Sequence, residues 1–314
     1  MRAWQFTDTG NPLELVEWPD PEPAPGEVLI DIKASGLCHS DVSAIDDPAW
    51  LGYFPRRPIV LGHEPAGVIT KLGDGVTDWM VGDRVGAPSG DPPGLGYSRD
   101  GAYAERMVAP AGHLVRIPDN VGFAEAAAGT DAGNVSHRAV VTVGRVTAGE
   151  RVAIVGVGGL GQIGLRIAHL AGAEVYAAEI NREVWSIAEA AGARRVVADI
   201  IDLADVGLDV VIDFAGFGST TAGAIEVLKP GGRLVQVGMG TLEATINTGA
   251  LIVKQLKVLG SQGGGIDNLT AVYDLYAQGL LRPVLSSIDF SEIGTGLERL
   301  KNGDVRGRLV AVLP

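Results

Sequence analysis

The sequence contains a single cysteine, Cys38, among its 314 residues, and this shortage excludes several architectures. One thiol forms neither an intrachain disulfide nor a metal site built from several cysteines. Aromatic residues make up only 5% of the chain. Charged residues interrupt each apolar stretch before it reaches about 18 residues, the length that a membrane-spanning helix needs. The core must therefore be built mainly from aliphatic side chains.

Positive charge is also scarce. The chain has 25 Lys and Arg residues and 38 Asp and Glu residues, so its net charge is −13. Proteins that bind nucleic acids or anionic membranes need a basic face. The first residues, MRAWQF, do not begin an apolar run of the kind found in signal peptides. These features predict a cytoplasmic protein with neither nucleic-acid nor membrane partners.

Glycine is abundant, with 45 residues, which is roughly twice the average usage. A chain of about 300 residues usually forms two domains. Residues 1–121 are rich in β-strand patterns, such as the alternation of Val28–Ser35. Residues 122–279 alternate short β-branched runs with helical stretches, which is typical of a parallel sheet covered by helices. Residues 280–314 return to short apolar runs, and the predicted fold class is α/β.

A glycine-rich turn follows the strand pattern VAIVG and precedes a helical pattern. Its glycines are Gly156, Gly158, Gly159 and Gly161. In such a turn the glycines permit a tight bend, a close approach of backbone to a pyrophosphate, and close packing of helix on strand. The amides at the start of the following helix then face the phosphates. This arrangement predicts a dinucleotide site on a doubly wound, Rossmann-type sheet.

The residue after the next predicted strand indicates which dinucleotide is bound. Glu179 lies 18 residues beyond the last glycine of the turn, near the spacing of a carboxylate that accepts ribose hydroxyls. A carboxylate there repels a 2′-phosphate, so NAD is favoured over NADP. Arg182 follows three residues later and partly offsets that repulsion. The alternative for Glu179 is an ordinary surface glutamate beside a structural turn.

Two short motifs bring together the residue types that bind zinc. GLCHSD contains Cys38, His39 and Ser40, and GHE, 25 residues after Cys38, contains His63 and Glu64. Along the chain these two motifs are followed by VGDRV at 81–85, GYSRDGAYAE at 96–105 and the glycine turn. In this order of motifs the sequence resembles the zinc-dependent medium-chain alcohol dehydrogenases over essentially the whole chain. The resemblance implies a GroES-like catalytic domain beside a Rossmann domain.

In that family the matching cysteine and histidine bind the catalytic zinc, which implies Cys38 and His63 as ligands. The third ligand is usually a cysteine, and here Asp131 occupies the matching position. An aspartate carries the same charge as the cysteine thiolate that is usual at this position, and it is an accepted zinc ligand. Glu64 matches a glutamate that coordinates the metal transiently. The alternative for Asp131 is a cap of a helix or turn.

The resemblance also implies roles around the cofactor and the substrate. Ser40 matches the hydroxyl that takes the proton of the alcohol and passes it to the nicotinamide ribose. Val237 and Met239 match a segment whose backbone meets the carboxamide, while His39 and Arg308 match residues near the cofactor phosphates. The family often has a proton-relay histidine where this chain has Ser43.

A second departure concerns the number of metal ions. Many family members carry a lobe with four cysteines that binds a structural zinc. The matching Pro/Gly-rich segment, residues 87–102, contains no cysteine. The sequence therefore predicts one catalytic zinc per subunit and no structural zinc.

We expect an oxidoreductase that transfers hydride between NAD and an alcohol, with the aldehyde or ketone as substrate in the reverse direction. Residues 1–121, completed by 280–314, are predicted as the GroES-like catalytic domain and 122–279 as the Rossmann domain. The late strand Lys257–Ser261 matches an edge that pairs across a two-fold axis in the family, so a homodimer or homotetramer is expected. Two alternatives are a zinc-free NADP-dependent quinone or enoyl reductase and a non-catalytic dinucleotide-binding member. Both fit the paired CHSD and GHE motifs less well.

Overall fold

The computed structural model describes residues 1–89 and 94–314, and it divides into two compact units. The first unit contains Met1–Asn134 and Gly263–Pro314, and the second contains Val135–Gln262. Within the described ranges, no helix combines the length and the apolar character that a bilayer crossing requires.

Strands and helices follow one another along the chain with the bounds below. The strands are β1 (Arg2–Phe6), β2 (Glu14–Glu17), β3 (Glu27–Leu37), β4 (Ile59–Val60), β5 (Pro65–Leu72), β6 (Arg84–Gly86), β7 (Arg106–Pro110), β8 (Val115–Arg116), β9 (Arg151–Val155), β10 (Glu174–Ala178), β11 (Arg195–Val197), β12 (Leu208–Asp213), β13 (Leu228–Gln236), β14 (Lys257–Gly260), β15 (Leu285–Asp289) and β16 (Arg308–Val312). The helices are α1 (His39–Asp46), α2 (Phe123–Ala128), α3 (Asn134–His137), α4 (Gly161–Leu170), α5 (Trp185–Ala191), α6 (Gly218–Val227), α7 (Thr248–Val253), α8 (Ile266–Ala277) and α9 (Ile293–Lys301). Short π-helical stretches, Gly129–Gly133 and Arg138–Val143, follow α2 and α3.

The first unit is built around a long, buried strand. β3 alternates between buried and half-buried residues over most of its length, as the apolar alternation of the sequence predicts. It pairs antiparallel with β5, β7 and β16 in a sheet whose order is β15-β16-β3-β5-β6-β8. A smaller sheet has the order β2-β1-β4. Because β16 lies beside β3, a late segment of the chain reaches the residues just before Cys38.

The second unit contains a six-stranded parallel sheet with the order β11-β10-β9-β12-β13-β14. In order of appearance this is 3-2-1-4-5-6, the doubly wound order of dinucleotide-binding domains. Apolar side chains of β9, β10 and β12 are buried, which is typical of strands covered on both faces. The glycine-rich turn joins β9 to α4, where the sequence predicts it.

The limits of the compact units differ from the domain boundaries predicted at 121/122 and 279/280. Helix α8 packs with the first unit, because the Tyr273 hydroxyl donates to the Ala126 carbonyl at 3.1 Å. The side-chain amide of Asn134 donates to the Gly264 carbonyl at 2.8 Å. Gly133 leaves room for this helix, since a Cβ there would stand 2.8 Å from a methyl of Val272. A periodicity of 3.6 identifies a helix, but it does not show which unit the helix packs against.

Candidate metal centre and nucleotide pocket

Four side chains that bind metals converge within the first unit, and they come from three separate segments. Cys38 follows β3 and is the N-cap of α1, His63 and Glu64 lie between β4 and β5, and Asp131 lies in the π-helical stretch after α2. One ligand atom from each lies within 4.8 Å of the others. His63, Glu64 and Asp131 are buried and Cys38 is half-buried. The structure therefore brings together all four residues that the sequence predicts around zinc.

The distances between the ligand atoms suit a tetrahedral zinc ion. The Cys38 Sγ lies 3.7 Å from the Asp131 Oδ2, and the His63 Nε2 lies 3.9 Å from the same oxygen. Zinc bonds of about 2.3 Å to sulfur and about 2.0–2.2 Å to nitrogen and oxygen would separate these pairs by roughly 3.4–3.6 Å. The observed separations are only slightly longer. Sulfur, imidazole nitrogen and carboxylate oxygen are all ligands that zinc accepts, so the donor set fits zinc.

A buried carboxylate orients the imidazole of His63. The Asp41 Oδ1 lies 3.4 Å from the His63 Nδ1, on the side of the ring opposite the cluster. The Tyr103 hydroxyl donates to the Asp41 Oδ2 at 2.7 Å, and the Cys38 amide donates to it at 3.2 Å. Burial opposes ionisation of Asp41, but His63 and these donors outweigh it and lower the pKa of the carboxyl. A charged Asp41 favours a proton on Nδ1 and leaves Nε2 free to bind a metal.

A buried arginine contacts both carboxylates of the cluster. Arg308, on β16, is 3% exposed, and its guanidinium donates to both carboxylate oxygens of Glu64 and to the Asp131 Oδ2 at 3.1 Å. Burial, opposed by this guanidinium, raises the pKa of the Glu64 carboxyl to about 7. Gly36 makes the approach of Glu64 possible, since a Cβ there would stand 2.0 Å from the Glu64 Oε2. Glu64 is thus held by Arg308, and Asp131 is the carboxylate that faces Cys38 and His63.

The resemblance predicts that Arg308 contacts the cofactor pyrophosphate. Within the first unit its guanidinium is engaged with the ligand cluster. The pairing of β16 with β3 explains this location, because it places residue 308 next to the end of β3. His39 begins α1 and is exposed.

Ser40 lies directly beside the ligand cluster. Its Oγ is 3.4 Å from the His63 Nε2, and the Tyr97 hydroxyl donates to it at 3.2 Å. The centroid of the Tyr97 ring lies 5.2 Å from that of His63. Burial raises the pKa of the Tyr97 hydroxyl above its usual range, so Tyr97 stays a hydrogen-bond donor at neutral pH. Sequence reasoning missed Tyr97, because a tyrosine in GYSRDGAYAE carries no signal of a contact with Ser40.

A second hydroxyl missed from the sequence contacts Asp131. The Ser89 Oγ donates to the Asp131 Oδ1 at 2.5 Å, and the Ser89 amide donates to the Thr130 carbonyl at 3.0 Å. Ser89 lies in the Pro/Gly-rich segment 87–102, of which residues 90–93 lie outside the described part of the chain. A serine among prolines and glycines is typical of turns, so its residue type gave no signal.

In the second unit, the glycine-rich turn has the geometry that its sequence predicts. Gly156 has a φ of +82°, which side chains rarely tolerate. A Cβ on Gly161 would lie 1.7 Å from the Gly156 carbonyl oxygen, so this glycine is needed for α4 to start close to β9. A Cβ on Gly158, by contrast, would meet open space. The backbone at Gly158 is therefore accessible to a ligand.

A pocket of about 250 Å³ lies beside this turn. Glu179, at the end of β10, is in its wall and accepts the Val157 amide at 2.7 Å and the Asn181 amide at 2.7 Å. Asp199 supplies a second carboxylate and Phe217 an exposed aromatic ring. Among the described residues, no lysine or arginine lines this pocket. Its two carboxylates suit hydroxyl groups and disfavour a 2′-phosphate.

Three further residues predicted near the cofactor lie within the same unit. The Arg182 guanidinium lies over the ring of Trp185, 5.3 Å from its centroid. The Val237 amide donates to the Asp213 carbonyl at 3.0 Å, at the end of β13. Met239 leaves about half of its surface exposed, 49%. These residues lie beyond the carboxyl ends of the parallel strands, the edge where such sheets bind ligands.

Comparison with known proteins agrees with both units. The family model "Alcohol dehydrogenase GroES-like domain" matches residues 24–119, and "Zinc-binding dehydrogenase" matches residues 159–278. An alcohol dehydrogenase of Geobacillus stearothermophilus is 32% identical, with the match covering 100% of this chain and 99% of that protein.

Solved structures give the same result. Acetophenone reductase from Geotrichum candidum in complex with NAD is 29% identical, with a TM-score of 0.90 over 99% of this chain and 97% of that one. The alcohol dehydrogenase of Aeropyrum pernix is 28% identical, with a TM-score of 0.91 over 100% of both chains. The predictions of an α/β fold with Rossmann and GroES-like parts and of an alcohol dehydrogenase type of enzyme are confirmed. The chain belongs to the zinc-type medium-chain alcohol dehydrogenase family, which consists of oxidoreductases.

Proposed function

We propose that this chain oxidises an alcohol to an aldehyde or ketone with NAD⁺, and catalyses the reverse reduction, at a single zinc ion. The observation that carries the proposal is the convergence of four ligand atoms within 4.8 Å of one another, with the Ser40 hydroxyl beside them. In this proposal the GroES-like unit holds the metal and the Rossmann unit holds NAD. The relatives whose names mention alcohol, ketone or NAD support this assignment.

Cys38, His63 and Asp131 are the proposed zinc ligands. Three protein ligands leave a fourth position open, where a bound zinc ion would polarise the hydroxyl of the substrate and lower its pKa. Glu64 is the reserve ligand, because Arg308 holds its carboxylate at the edge of the cluster. A second, structural zinc is not proposed, since its family site needs four cysteines and the sequence has one.

Ser40 is the proposed acceptor of the alcohol proton. Its Oγ lies beside the ligand cluster, and Tyr97 donates to it, which orients the Ser40 lone pairs and hydrogen. In the oxidation the O–H proton of the alcohol would pass to Ser40 and then to solvent. A bound NAD⁺ would supply the acceptor for the hydride that leaves the substrate carbon as its C=O bond forms. Because Ser43 stands where the family often has a histidine, the last transfer to solvent uses Ser43 or water.

NAD is the proposed cofactor in preference to NADP. Two carboxylates, Glu179 and Asp199, lie in the pocket beside the glycine turn, and both would repel a 2′-phosphate. Gly156, Gly158, Gly159 and Gly161 would present backbone to the pyrophosphate. The proposed contacts of His39, Arg182, Val237, Met239 and Arg308 with the cofactor rest on the family resemblance.

A homodimer, or a homotetramer built from dimers, is the proposed assembly. β14 is the last strand of the parallel sheet, and its free edge is largely exposed. Apolar side chains in β14 and just before it are also exposed, namely Val258 at 46%, Ile252 at 73% and Val253 at 82%. An unpaired edge with apolar neighbours favours pairing with a second copy of the chain.

The proposal is tested by measuring metal content and turnover on the same preparation. We expect one zinc per subunit by elemental analysis, and NAD⁺ reduction with at least one member of a panel of primary, secondary and aromatic alcohols. A preparation without zinc that reduces quinones with NADPH would instead identify a zinc-free reductase. A protein that binds NAD but turns over no alcohol or carbonyl compound would identify a non-catalytic member.

A further inference from the structure

An aspartate ligand differs from a cysteine ligand in having a second donor atom. A thiolate has one sulfur, whereas a carboxylate has two oxygens and can bind a metal through one or both. Asp131 is buried, so an oxygen that does not bind metal needs another partner. The site must therefore supply a hydrogen-bond donor that a cysteine ligand would not require.

The two oxygens of Asp131 have different surroundings. Oδ2 faces the Cys38 Sγ at 3.7 Å and the His63 Nε2 at 3.9 Å. Oδ1 accepts a hydrogen bond of 2.5 Å from the Ser89 hydroxyl. The carboxylate is thus already oriented with one oxygen toward the ligand cluster and the other toward Ser89.

Ser89 is itself anchored to the segment that carries Asp131. Its amide donates to the carbonyl of Thr130, the residue before Asp131, at 3.0 Å. The Thr130 hydroxyl in turn donates to the Ala127 carbonyl at 2.7 Å in the preceding helix. Because Ser89 contacts both the backbone and the side chain of this short stretch, its hydroxyl has a fixed position relative to the carboxylate.

We propose that Ser89 is a positioning residue that holds Asp131 as a one-oxygen ligand, with Oδ2 directed at the zinc. This inference rests on the proposed zinc site. Without the serine donor, Oδ1 would turn either toward the metal, giving two-oxygen binding, or toward Arg308, which already donates to Oδ2. Either change would move Oδ2 from its position near Cys38 and His63.

The test measures zinc affinity by competition with a chromophoric chelator, with no substrate present. We expect Ser89→Ala to weaken zinc binding about tenfold, the lower end of the effect of removing an outer partner of a metal ligand. Ser89→Thr keeps a hydroxyl and should restore most of the affinity. Ser286→Ala, at another half-buried serine of the same unit, is the matched control and should bind zinc as the unmodified chain does.

The Asp131→Cys background separates a positioning role from a structural one. A thiolate has no second oxygen, so Ser89→Ala in that background should change zinc affinity by less than about twofold. An equal loss in both backgrounds would overturn the proposal, because it would show that Ser89 only stabilises the loop. Unchanged affinity of Ser89→Ala in the natural background would overturn it as well.

Cobalt substitution supplies a readout that does not depend on whether a variant folds. The unmodified chain loaded with Co²⁺ should show the intense visible bands of a four-coordinate ion, since one oxygen of Asp131 would bind. Weak visible bands, typical of a five-coordinate Co²⁺ ion, in the unmodified chain would overturn the proposal. Asp131→Ala separates this failure from failure of the proposed function: if that variant keeps full zinc affinity, Asp131 is not a ligand and the zinc site itself is wrongly assigned.

Discussion

The two candidate sites are built from different parts of the polypeptide. The candidate metal centre of the first unit consists of side chains that are buried or, for Cys38, half-buried. Its charged groups Asp41, Glu64, Asp131 and Arg308 lie in direct contact with one another or with His63. The candidate nucleotide site of the second unit is a glycine turn whose backbone leaves space for a ligand, beside a pocket that contains Glu179 and Asp199. Removing side-chain atoms should therefore weaken zinc binding at the first site. Adding side-chain atoms to the glycine turn should weaken NAD binding at the second.

The largest effect should come from truncating a metal ligand. Asp131→Ala should weaken zinc binding by more than about 100-fold and remove activity with it, because loss of an outer partner alone costs about 10–100-fold. NAD binding in the second unit should stay unchanged, as measured by protein fluorescence quenching.

Asp131→Cys is the matched control for this variant, since it restores a ligand of equal charge. It should keep zinc and activity, although the shorter side chain lowers the affinity. An Asp131→Ala protein with full zinc and full activity would leave Glu64 as the third ligand.

The converse change adds atoms to the glycine turn. Gly161→Ala should destabilise the second unit by about 1–3 kcal/mol, because its Cβ would collide with the Gly156 carbonyl oxygen. NAD affinity should fall at least about tenfold, while zinc content stays at one per subunit. Thermal unfolding and NAD titration measure the two effects.

Gly158→Ala separates folding from binding within the same turn. A Cβ there meets open space in the protein, so the free energy of unfolding should stay close to that of the unmodified chain. NAD binding should still weaken, because the methyl group would occupy the side that the pyrophosphate approaches. Unaltered NAD affinity in this variant would place the pyrophosphate elsewhere.

An intermediate effect is expected at Glu179, one of the two carboxylates in the nucleotide pocket. Glu179→Ser should raise the KM for NAD⁺ about tenfold, which is near the contribution of a hydrogen bond to a charged group, and should narrow or invert the preference over NADP⁺. Glu179→Gln keeps a hydrogen-bond acceptor and removes the charge. It should narrow the preference for NAD⁺ over NADP⁺ and raise the KM for NAD⁺ less than Glu179→Ser does. If the unmodified enzyme prefers NADP⁺ by tenfold, Arg182 outweighs Glu179.

The smallest effect concerns a group one step away from the metal ligands. Tyr97→Phe should lower kcat about threefold to tenfold, because it removes a single neutral hydrogen bond to Ser40. Zinc content should not change, and the pH profile of kcat should shift because the proton acceptor is less well oriented. Tyr176→Phe, whose hydroxyl donates to Glu174 in the other unit, is the control. A loss of zinc in Tyr97→Phe would show that Tyr97 supports His63 rather than Ser40.

The same contrast explains which parts of the molecule the sequence could predict. The glycine turn and Glu179 lie within 24 residues of one another, so their spacing alone indicates the bend, the helix start and the acid. Cys38, His63 and Asp131 are far apart in the chain and could be grouped only through the resemblance to a known family. Their roles as ligands remain predictions.

The contacts of Ser89 and Arg308 with Asp131 could not be found in this way. Ser89 and Asp131 are 42 positions apart, and Arg308 and Asp131 are 177 positions apart. Contacts at such separations depend on which strands pair, and hydroxyls and guanidinium groups are common on protein surfaces. The same limitation affected α8, whose helical pattern was recognised but whose packing against the first unit was not.

The pairing of β16 with β3 also sets an order of events during synthesis of the protein. The ribosome makes every residue of the second unit, 135–262, after Cys38, His63, Glu64 and Asp131 but before Arg308. More than 170 residues are therefore added after Asp131 before the chain contains Arg308, the cation that contacts both carboxylates of the cluster. Domains that are complete in the nascent chain fold as units, so the nucleotide-binding unit can form first. The ligand cluster can gain Arg308 only after that, when β16 has been made and pairs with β3.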